Sequence, residues 1–322
     1  MRHEPLIERF RSVLPVSAAT PVVSLGEGST PLVWAPRLSE RYGKELWLKL
    51  EGANPSGSYK DRGMTVAVSK AVEEGARAVI CASTGNTAAS AAAYAARAGI
   101  TAVVLTPEGA VAGPKVAQTR MLGARVLEVR GDFDQALDAA RELAARGTHA
   151  LVNSLNEHRR QGQKTAVYEI VEALDGAPDA FVIPYGGGGN TSAYAIARRE
   201  LRLDTPIVSV EATDRPHTIG SAIRIQTPAH AAAVAEAGAI VMAVTDEEIV
   251  TAWKELAALE GIFCEPASAA GLAAIRRGDV EGERLAVTIT GHGLKDIEVA
   301  DAHAAPTQHV DPDPDAIAAA SR

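Results

Sequence analysis

The feature that most constrains the fold is an alternation of short β-branched segments with longer alanine-rich segments. The short segments are typical of buried strands and the long ones of helices. The first half of the chain is predicted to contain strands at 78–81, 101–105 and 125–129, and helices at 87–98, 114–122 and 133–146. The second half is predicted to contain strands at 180–184, 206–210 and 285–290, and helices at 192–201 and 246–259. Because strands that alternate with helices form parallel sheets flanked by helices, the predicted class is α/β.

The length of 322 residues allows two lobes of ordinary domain size. The two sets of strands and helices are separated by a break at about 148–164. Hydrophobic residues make up 47% of the chain but aromatic residues only 4%, so aliphatic side chains and alanine must fill the cores. The tail at 300–322, which contains Asp-Pro-Asp-Pro at 311–314, is expected to be partly disordered or loosely docked.

The charge and cysteine content exclude several classes of protein. With 32 basic and 40 acidic residues the net charge is -8, which argues against nucleic acid as a partner. No apolar run is long enough to span a membrane, and residues 1–10 lack the apolar segment of a signal peptide. Cys81 and Cys264 are therefore expected to be reduced thiols in a cytoplasmic protein. Neither cysteine has a partner at metal-ligand spacing, so we expect no metal site.

One lysine stands at the junction of a turn and a helix. Lys60 lies in the segment Gly-Ser-Tyr-Lys-Asp-Arg-Gly at 57–63, which follows Gly, Pro and Ser residues and precedes a helix-like run at 64–72. When such an amine is partly desolvated, it can lose its proton and attack an aldehyde. A solvated surface charge is the simpler interpretation of the segment taken alone.

Small polar residues follow the strand predicted at 78–81. The segment Ser-Thr-Gly-Asn-Thr at 83–87 opens the next helix. Hydroxyls, an amide and free backbone N–H groups at a helix N-terminus suit an anion such as a carboxylate. A helix cap is the alternative. One capping residue would suffice, so five small polar residues favour a binding site.

Four consecutive glycines follow the strand predicted at 180–184. The segment Gly-Gly-Gly-Gly-Asn-Thr at 186–191 lies just before the helix predicted at 192–201. Glycines let the backbone wrap around a ligand, and its N–H groups with the helix dipole suit a phosphate. A flexible turn is the alternative. The segment is not a P-loop, because no Gly-Lys-Ser/Thr follows, and it lacks the third glycine of a dinucleotide fingerprint.

Two further polar segments are candidates. Thr290 ends the last predicted strand, where its hydroxyl could bond a heterocycle nitrogen, and His292 follows in the same turn. A plain turn with a surface histidine is the alternative. The segment at 153–160 carries Arg159 and Arg160. Arginine binds phosphate through two hydrogen bonds, but a solvated loop would have the same composition.

Taken in order, these segments resemble the threonine synthase family, in the tryptophan-synthase-β-like group of pyridoxal phosphate (PLP) enzymes. The resemblance covers nearly the whole chain. Its segments lie at 25–32, 54–64, 82–87, 151–154, 162–166, 218–225, 263–268 and 290–296.

The resemblance implies two α/β lobes with PLP in the cleft between them. The smaller lobe is expected at 55–150, inserted into a larger lobe formed by 1–54 and 151–322. A homodimer is expected on the same ground.

The resemblance also implies residue roles. Lys60 forms the internal aldimine and moves protons, Asn86 bonds the ring hydroxyl, and Thr290 meets the pyridine nitrogen. The expected ligands of the cofactor phosphate are Gly186, Gly187, Gly188, Gly189, Asn190 and Thr191. The expected ligands of the substrate carboxylate and distal phosphate are Ser83, Thr84, Thr87, Asn153, Ser154 and Arg159.

The implied reaction converts O-phospho-L-homoserine and water to L-threonine and phosphate. The chain departs from the family pattern in its four-glycine segment, at His292, and in a shorter loop between Glu211 and His217. The four glycines are also typical of serine/threonine dehydratases. A dehydratase or β-replacement enzyme is therefore the alternative, and a non-catalytic binding protein is disfavoured by Lys60.

Overall fold

The computed structural model describes residues 4–109 and 113–321, and its strands form two sheets. In chain order the strands of these ranges are β1 (Leu32–Trp34), β2 (Glu45–Leu50), β3 (Ala78–Ala82), β4 (Thr101–Pro107), β5 (Arg125–Val129), β6 (Ala150–Leu151), β7 (Ala180–Pro184), β8 (Ile207–Ala212), β9 (Ile240–Val244) and β10 (Arg284–Ile289). Every pairing is parallel except that of β1 with β2. The predicted α/β class with parallel sheets is confirmed.

Helices occupy the segments between the strands. They are α1 (Leu6–Arg9), α2 (Pro36–Tyr42), α3 (Lys60–Glu73), α4 (Asn86–Ala98), α5 (Pro114–Met121), α6 (Phe133–Ala145), α7 (Glu157–Gln163), α8 (Thr165–Ala173), α9 (Gly189–Glu200), α10 (Ala231–Glu236), α11 (Asp246–Glu260), α12 (Ala270–Arg277), α13 (Ile297–His303) and α14 (Pro314–Ala320). Within the described ranges, no helix has both the length and the apolar character that crossing a membrane requires.

The larger sheet has six strands in the order β1-β2-β10-β7-β8-β9. All five residues of β7 are buried, and the apolar core beside this sheet includes Val182, Val287 and Leu272 of α12. A continuous apolar strand of this kind is expected where helices cover both faces of a parallel sheet. The loops that follow these strands therefore begin at well-packed, rigid positions.

The smaller sheet has four strands in the order β5-β4-β3-β6. All five residues of β3 are buried, and alanines of α4 pack in the same apolar cluster. The last strand, β6, lies across the boundary expected between residues 150 and 151. The division into lobes at 55–150 and in the remaining residues stays a prediction.

Two helices begin earlier than the sequence suggested. The run at 64–72 is part of α3, which begins at Lys60, and the helix predicted from residue 192 is α9, which begins at Gly189. Glycine has a low helix propensity, which hides both starts in the sequence. Lys60 is therefore the first residue of a helix.

The expected break and tail contain regular structure. Residues 148–164 hold β6 and α7, so they are not a plain linker. The tail holds α13 and α14, and α14 begins after Asp313, whose carboxylate accepts from the backbone N–H of Ala316 at 3.0 Å. A single aspartate cap with proline at the first helical position is sufficient to begin this exposed helix.

A buried group of charges fixes the start of α3. Arg62 is fully buried and pairs with Glu51 and with Glu169, each at 2.7 Å. Lys49 of β2 also pairs with Glu169 at 2.7 Å, and Arg62 donates to the Thr30 hydroxyl at 3.0 Å. The first turn of α3 is thereby tied to the larger sheet and to α8.

Two glycines allow α3 and α7 to touch. A Cβ atom on Gly63 would lie 2.6 Å from the carbonyl oxygen of Arg159, and one on Gly162 would lie 1.9 Å from that of Arg62. Both distances are impossible for a side chain, so only glycine permits this contact. The contact brings Arg159 beside the first turn of α3.

We predict that Glu169→Gln is strongly destabilising. Burial alone would raise the pKa of Glu169, but Arg62 and Lys49 hold it at about 2, below its ordinary value of 4.5. The stabilisation from the carboxylate is therefore present above pH 4.5 and is lost as the pH falls towards 2. Removing the charge leaves two buried cations short of a partner, which costs about 3–5 kcal/mol at neutral pH.

Denaturant unfolding at pH 7 and pH 3 tests this expectation. The loss in Glu169→Gln relative to the unchanged protein should be smaller at pH 3. The matched control is Glu172→Gln on the same helix, whose 67% exposed side chain pairs with Arg9, and it should cost about 1 kcal/mol or less. Equal losses in the two variants would contradict the role given to Glu169.

Candidate active site

The loops that follow strands of both sheets line one cleft. Its cavity volume is about 620 Å³. Segment 83–87 follows β3, segment 186–191 follows β7, and Thr290 follows β10. Ligands of open parallel sheets bind at these carboxyl ends. The predicted site residues that line the cleft are Lys60, Ser83, Thr84, Asn86, Thr87, Asn153, Ser154, Gly186, Gly187, Gly188, Gly189, Asn190, Thr191 and Thr290.

Lys60 is held at the cleft by its neighbours in the chain. The backbone N–H of Tyr59 donates to the carbonyl of Thr290 at 3.0 Å, so the start of α3 is attached to the end of β10. The Lys60 amine donates to the Tyr59 hydroxyl at 2.6 Å. No carboxylate pairs with this amine among the residues that the structure describes.

Asp61 stabilises the turn that precedes Lys60. Its buried carboxylate accepts from the backbone N–H of Ser56 at 2.6 Å, from the Ser56 hydroxyl at 2.5 Å and from the Ser90 hydroxyl of α4 at 2.6 Å. Burial raises the pKa of Asp61 to about 6, although these bonds act in the opposite direction. Lys60, Asp61 and Arg62 are therefore directed to the cleft, the turn and the core respectively.

Asn86 presents one free polar atom in the cleft. Its Nδ2 lies 2.9 Å from both carboxylate oxygens of Glu265, which is fully buried. Its Oδ1 is buried and, in the described part of the chain, has no hydrogen-bond partner. A buried polar atom without a partner is costly, so Asn86 Oδ1 marks a place for a ligand.

Lys115 of α5 neutralises Glu265. Its Nζ lies 2.8 Å from Glu265 and 2.8 Å from Asp296. Burial alone would lower the pKa of Lys115, but the two carboxylates raise it, so the amine remains a cation. This contact joins α5, beside the smaller sheet, to segments around the larger one.

The four glycines form a close-fitting cup. Gly188 has φ of +80°, a conformation that side chains rarely adopt, and a Cβ on Gly186 would lie 2.8 Å from the carbonyl of Ala222. The N–H groups of Gly186 and Gly187 have no acceptor within the described ranges, and the buried Nδ2 of Asn190 has none either. With the N-terminus of α9, these donors suit a phosphate.

Thr290 presents a neutral hydroxyl to the cleft. Its Oγ lies 2.9 Å from the hydroxyl of Ser268, which accepts from the backbone N–H of Gly291 at 3.1 Å. Thr290 is only 5% exposed, so its hydroxyl is fixed in place. The cleft therefore combines an amine, a phosphate cup and a neutral hydroxyl.

Comparison with known proteins explains this combination. Residues 23–291 match the family described as "Pyridoxal-phosphate dependent enzyme". The threonine synthase of Halalkalibacterium halodurans is 45% identical over 316 residues, which cover 90% of this chain and 89% of that protein. The threonine synthase of Mycobacterium leprae is 47% identical over 328 residues, which cover 92% and 91%. The chain belongs to the threonine synthase family of pyridoxal phosphate-dependent enzymes.

Solved structures confirm the fold of the enzyme. Maize serine racemase superimposes with a TM-score of 0.78 at 21% identity, and the match covers 92% of this chain and 96% of the racemase. A threonine deaminase from Solanum lycopersicum gives 0.75 at 23% identity, with 92% and 88% coverage. At these identities the likeness concerns the fold alone.

The residues of the cleft fit PLP. The free N–H groups of the cup and Asn190 Nδ2 suit the phosphate, and Asn86 suits the ring hydroxyl. The Thr290 hydroxyl would be a neutral partner for the ring nitrogen, and Lys60 would supply the amine. Two of these atoms, Asn190 Nδ2 and Asn86 Oδ1, are buried and lack partners among the described residues, which is the state expected of groups reserved for a ligand.

The residues predicted to bind substrate are only partly free to do so. Both polar atoms of the Asn153 amide bond the backbone of Ala82, at 3.0 and 2.9 Å, so this side chain holds the end of β3. The backbone carbonyl of Ser154 accepts from His230 at 3.0 Å. Ser83 and Thr84 line the cleft at the N-terminus of α4. Their roles towards the substrate stay predictions.

Arg159 does not line the cleft but lies behind its wall. It is fully buried, and Nη1 donates to the carbonyl of Val152 at 3.1 Å and lies 3.5 Å from the Thr87 hydroxyl. Its Nε and Nη2 have no partner in the described part of the chain, and burial lowers its pKa. The predicted contact between Arg159 and a substrate phosphate therefore stays a prediction.

Sequence reasoning missed Glu265 and Lys115. Glu265 is an isolated acid in a largely apolar run, and Lys115 follows Gly-Pro at the start of a helix, as Lys60 follows a turn. An isolated acid in an apolar segment and a lysine at a helix start are only weak indications of a site. His292 is exposed and outside the cleft, and its Nδ1 accepts from the backbone N–H of Leu294 at 3.2 Å. His292 therefore agrees with the alternative interpretation of this segment, a histidine at the surface.

We predict that Gly187→Ala weakens PLP binding without destabilising the fold. A Cβ at this position meets only Ile225, at an ordinary 3.6 Å, yet Gly187 lines the phosphate cup. The substitution keeps the backbone N–H but adds a methyl group beside Ile225, which also lines the cleft, so the phosphate should be displaced from its N–H donors and the dissociation constant should rise about tenfold. In contrast, Gly186→Ala should lower both affinity and stability, because its Cβ meets a carbonyl at 2.8 Å.

Absorbance titration of the apoenzymes with PLP, together with thermal unfolding, separates these effects. Unchanged affinity in Gly187→Ala would show that the phosphate does not lie against Gly187.

Proposed function

We propose that the enzyme is a threonine synthase that converts O-phospho-L-homoserine and water to L-threonine and phosphate. The observation that carries the proposal is that two helix N-termini suited to anions, those of α4 and α9, line one cleft with Lys60. The N-terminus of α9, with the glycine cup, suits the cofactor phosphate. The N-terminus of α4 is then available for the substrate. The identity of 44–47% to threonine synthases over about nine tenths of the chain supports the same reaction.

Lys60 is the group that handles protons. PLP, when bound, supplies an electron sink that stabilises negative charge at the substrate carbons. An amine with a neutral hydroxyl as its partner is free to accept a proton from the substrate and return it at another carbon. The Thr290 hydroxyl would bring no charge to the ring nitrogen, so it need not hold that nitrogen protonated.

The substrate would be oriented by the N-terminus of α4. Backbone N–H groups and the hydroxyls of Ser83, Thr84 and Thr87 are suited to a carboxylate or phosphate. Arg159, whose Nε and Nη2 have no partner among the described residues, would add positive charge beside Thr87. The ion pairs of Lys115 with Glu265 and Asp296 hold the two sides of the cleft together.

The enzyme is also proposed to be a cytoplasmic homodimer. The support for this assembly and location is the family resemblance of the whole chain. Light scattering of the purified enzyme would show a mass near 67 kDa, twice the chain mass of 33.5 kDa, if the dimer forms.

Product analysis tests the proposed reaction. With PLP and O-phospho-L-homoserine, the enzyme should release phosphate and L-threonine in equal amounts, and Lys60→Ala should release neither. Serine and threonine should yield little α-keto acid or ammonia, the products of a dehydratase. Absence of phosphate release from an enzyme that has bound PLP would refute the proposed substrate.

A further inference from the structure

Tyr59 is fixed beside Lys60 by the backbone. It is the residue immediately before α3, and its N–H is bonded to the Thr290 carbonyl at 3.0 Å. Its side chain lines the cleft. The phenol therefore stands next to the amine because the chain is anchored there, on the strand end that carries the hydroxyl of Thr290.

Among the described residues, the Tyr59 hydroxyl and the Lys60 amine hydrogen-bond only to each other. The amine lies 2.6 Å from the hydroxyl oxygen and 4.4 Å from the centre of the ring, within the range of cation–π attraction. Within residues 4–109 and 113–321, neither atom has another hydrogen-bond partner. Among the described residues this hydroxyl therefore makes no hydrogen bond that links it to another part of the fold.

Helix α7 packs against the helix that follows Tyr59. A Cβ atom on Gly63 would lie 2.6 Å from the carbonyl oxygen of Arg159, so α7 touches the first turn of α3. The start of α3 is thus fixed by α7 as well as by the backbone hydrogen bond of Tyr59 to Thr290.

We propose that Tyr59 is a positioning residue whose hydroxyl holds the Lys60 amine in the cleft whenever that amine is not bonded to the cofactor. The proposal rests on the proposed function, because it assigns a task in the proton transfers of that reaction. A lysine side chain has four rotatable bonds, and a partner at its tip removes much of this freedom. A held amine is already placed to attack the cofactor aldehyde and to accept the substrate proton.

The test compares Tyr59→Phe, which keeps the ring and removes the hydroxyl, with the unchanged enzyme. Each apoenzyme is mixed with PLP, and covalent attachment is followed by stopped-flow visible absorbance. The rate constant of attachment should fall up to about tenfold, as expected for loss of one hydrogen bond that positions the amine. The final absorbance and the unfolding temperature should not change. In turnover, kcat should fall while KM changes by less than about twofold.

Tyr42→Phe is the matched control. Its hydroxyl donates to Glu255 at 2.6 Å and does not line the cleft, so its loss should leave attachment unchanged. Attachment in Tyr59→Phe that is equally fast or faster would overturn the proposal. An unchanged enzyme that attaches PLP but forms no threonine would contradict the proposed function instead, and the attachment rates would still decide the role of Tyr59.

Discussion

The rest of the structure depends on the buried charges around Arg62. Arg62 and Lys49 meet Glu51 and Glu169 in a group that is neutral overall and almost completely buried. Moving single charges out of water costs several kcal/mol each, and only close pairing repays this. Any other start for α3 would separate these partners and leave charges buried alone. The group therefore acts less as a source of stability than as a constraint on where the helix begins.

The active site inherits its geometry from this constraint. One residue of slippage would turn Lys60 by about 100° around the helix axis and take its amine out of the cleft. Asp61 prevents slippage from the other side by binding the turn before the helix. Gly63 and Gly162 bring α7 close enough to place Arg159 behind Thr87. The buried charges, the turn bound by Asp61 and the contact of α3 with α7 thus act together to position the Lys60 amine.

The sequence predicted those features that are encoded locally. Lys60, the glycine cup and Thr290 each stand beside a strand or helix signal, and the structure brings all of them to one cleft. The starts of α3 and α9 were hidden because glycine and polar residues are typical of turns, and burial outweighs that preference here.

Features that need distant partners could not be predicted in this way. Glu265 is a buried acid because Lys115 and Asn86 bind it, and both of these residues lie 150 or more positions earlier in the chain. Likewise, the sequence around Arg159 is compatible with a solvated loop, but α3 packs against this residue in the structure. Asn153 is predicted to bind substrate, but both polar atoms of its side chain bond the backbone of Ala82. Long-range pairing, rather than local pattern, decides these roles.

The central claim is that the anchored start of α3 makes Lys60 the amine that reacts with PLP. Within the part of the chain that the structure describes, three lysines line the cleft, namely Lys60, Lys115 and Lys295, so the claim can be tested directly. Borohydride reduction of the holoenzyme, followed by peptide mass spectrometry, reports which lysine carries the cofactor. The account predicts one modified peptide, containing Lys60. Cofactor on Lys115 or Lys295 would contradict it.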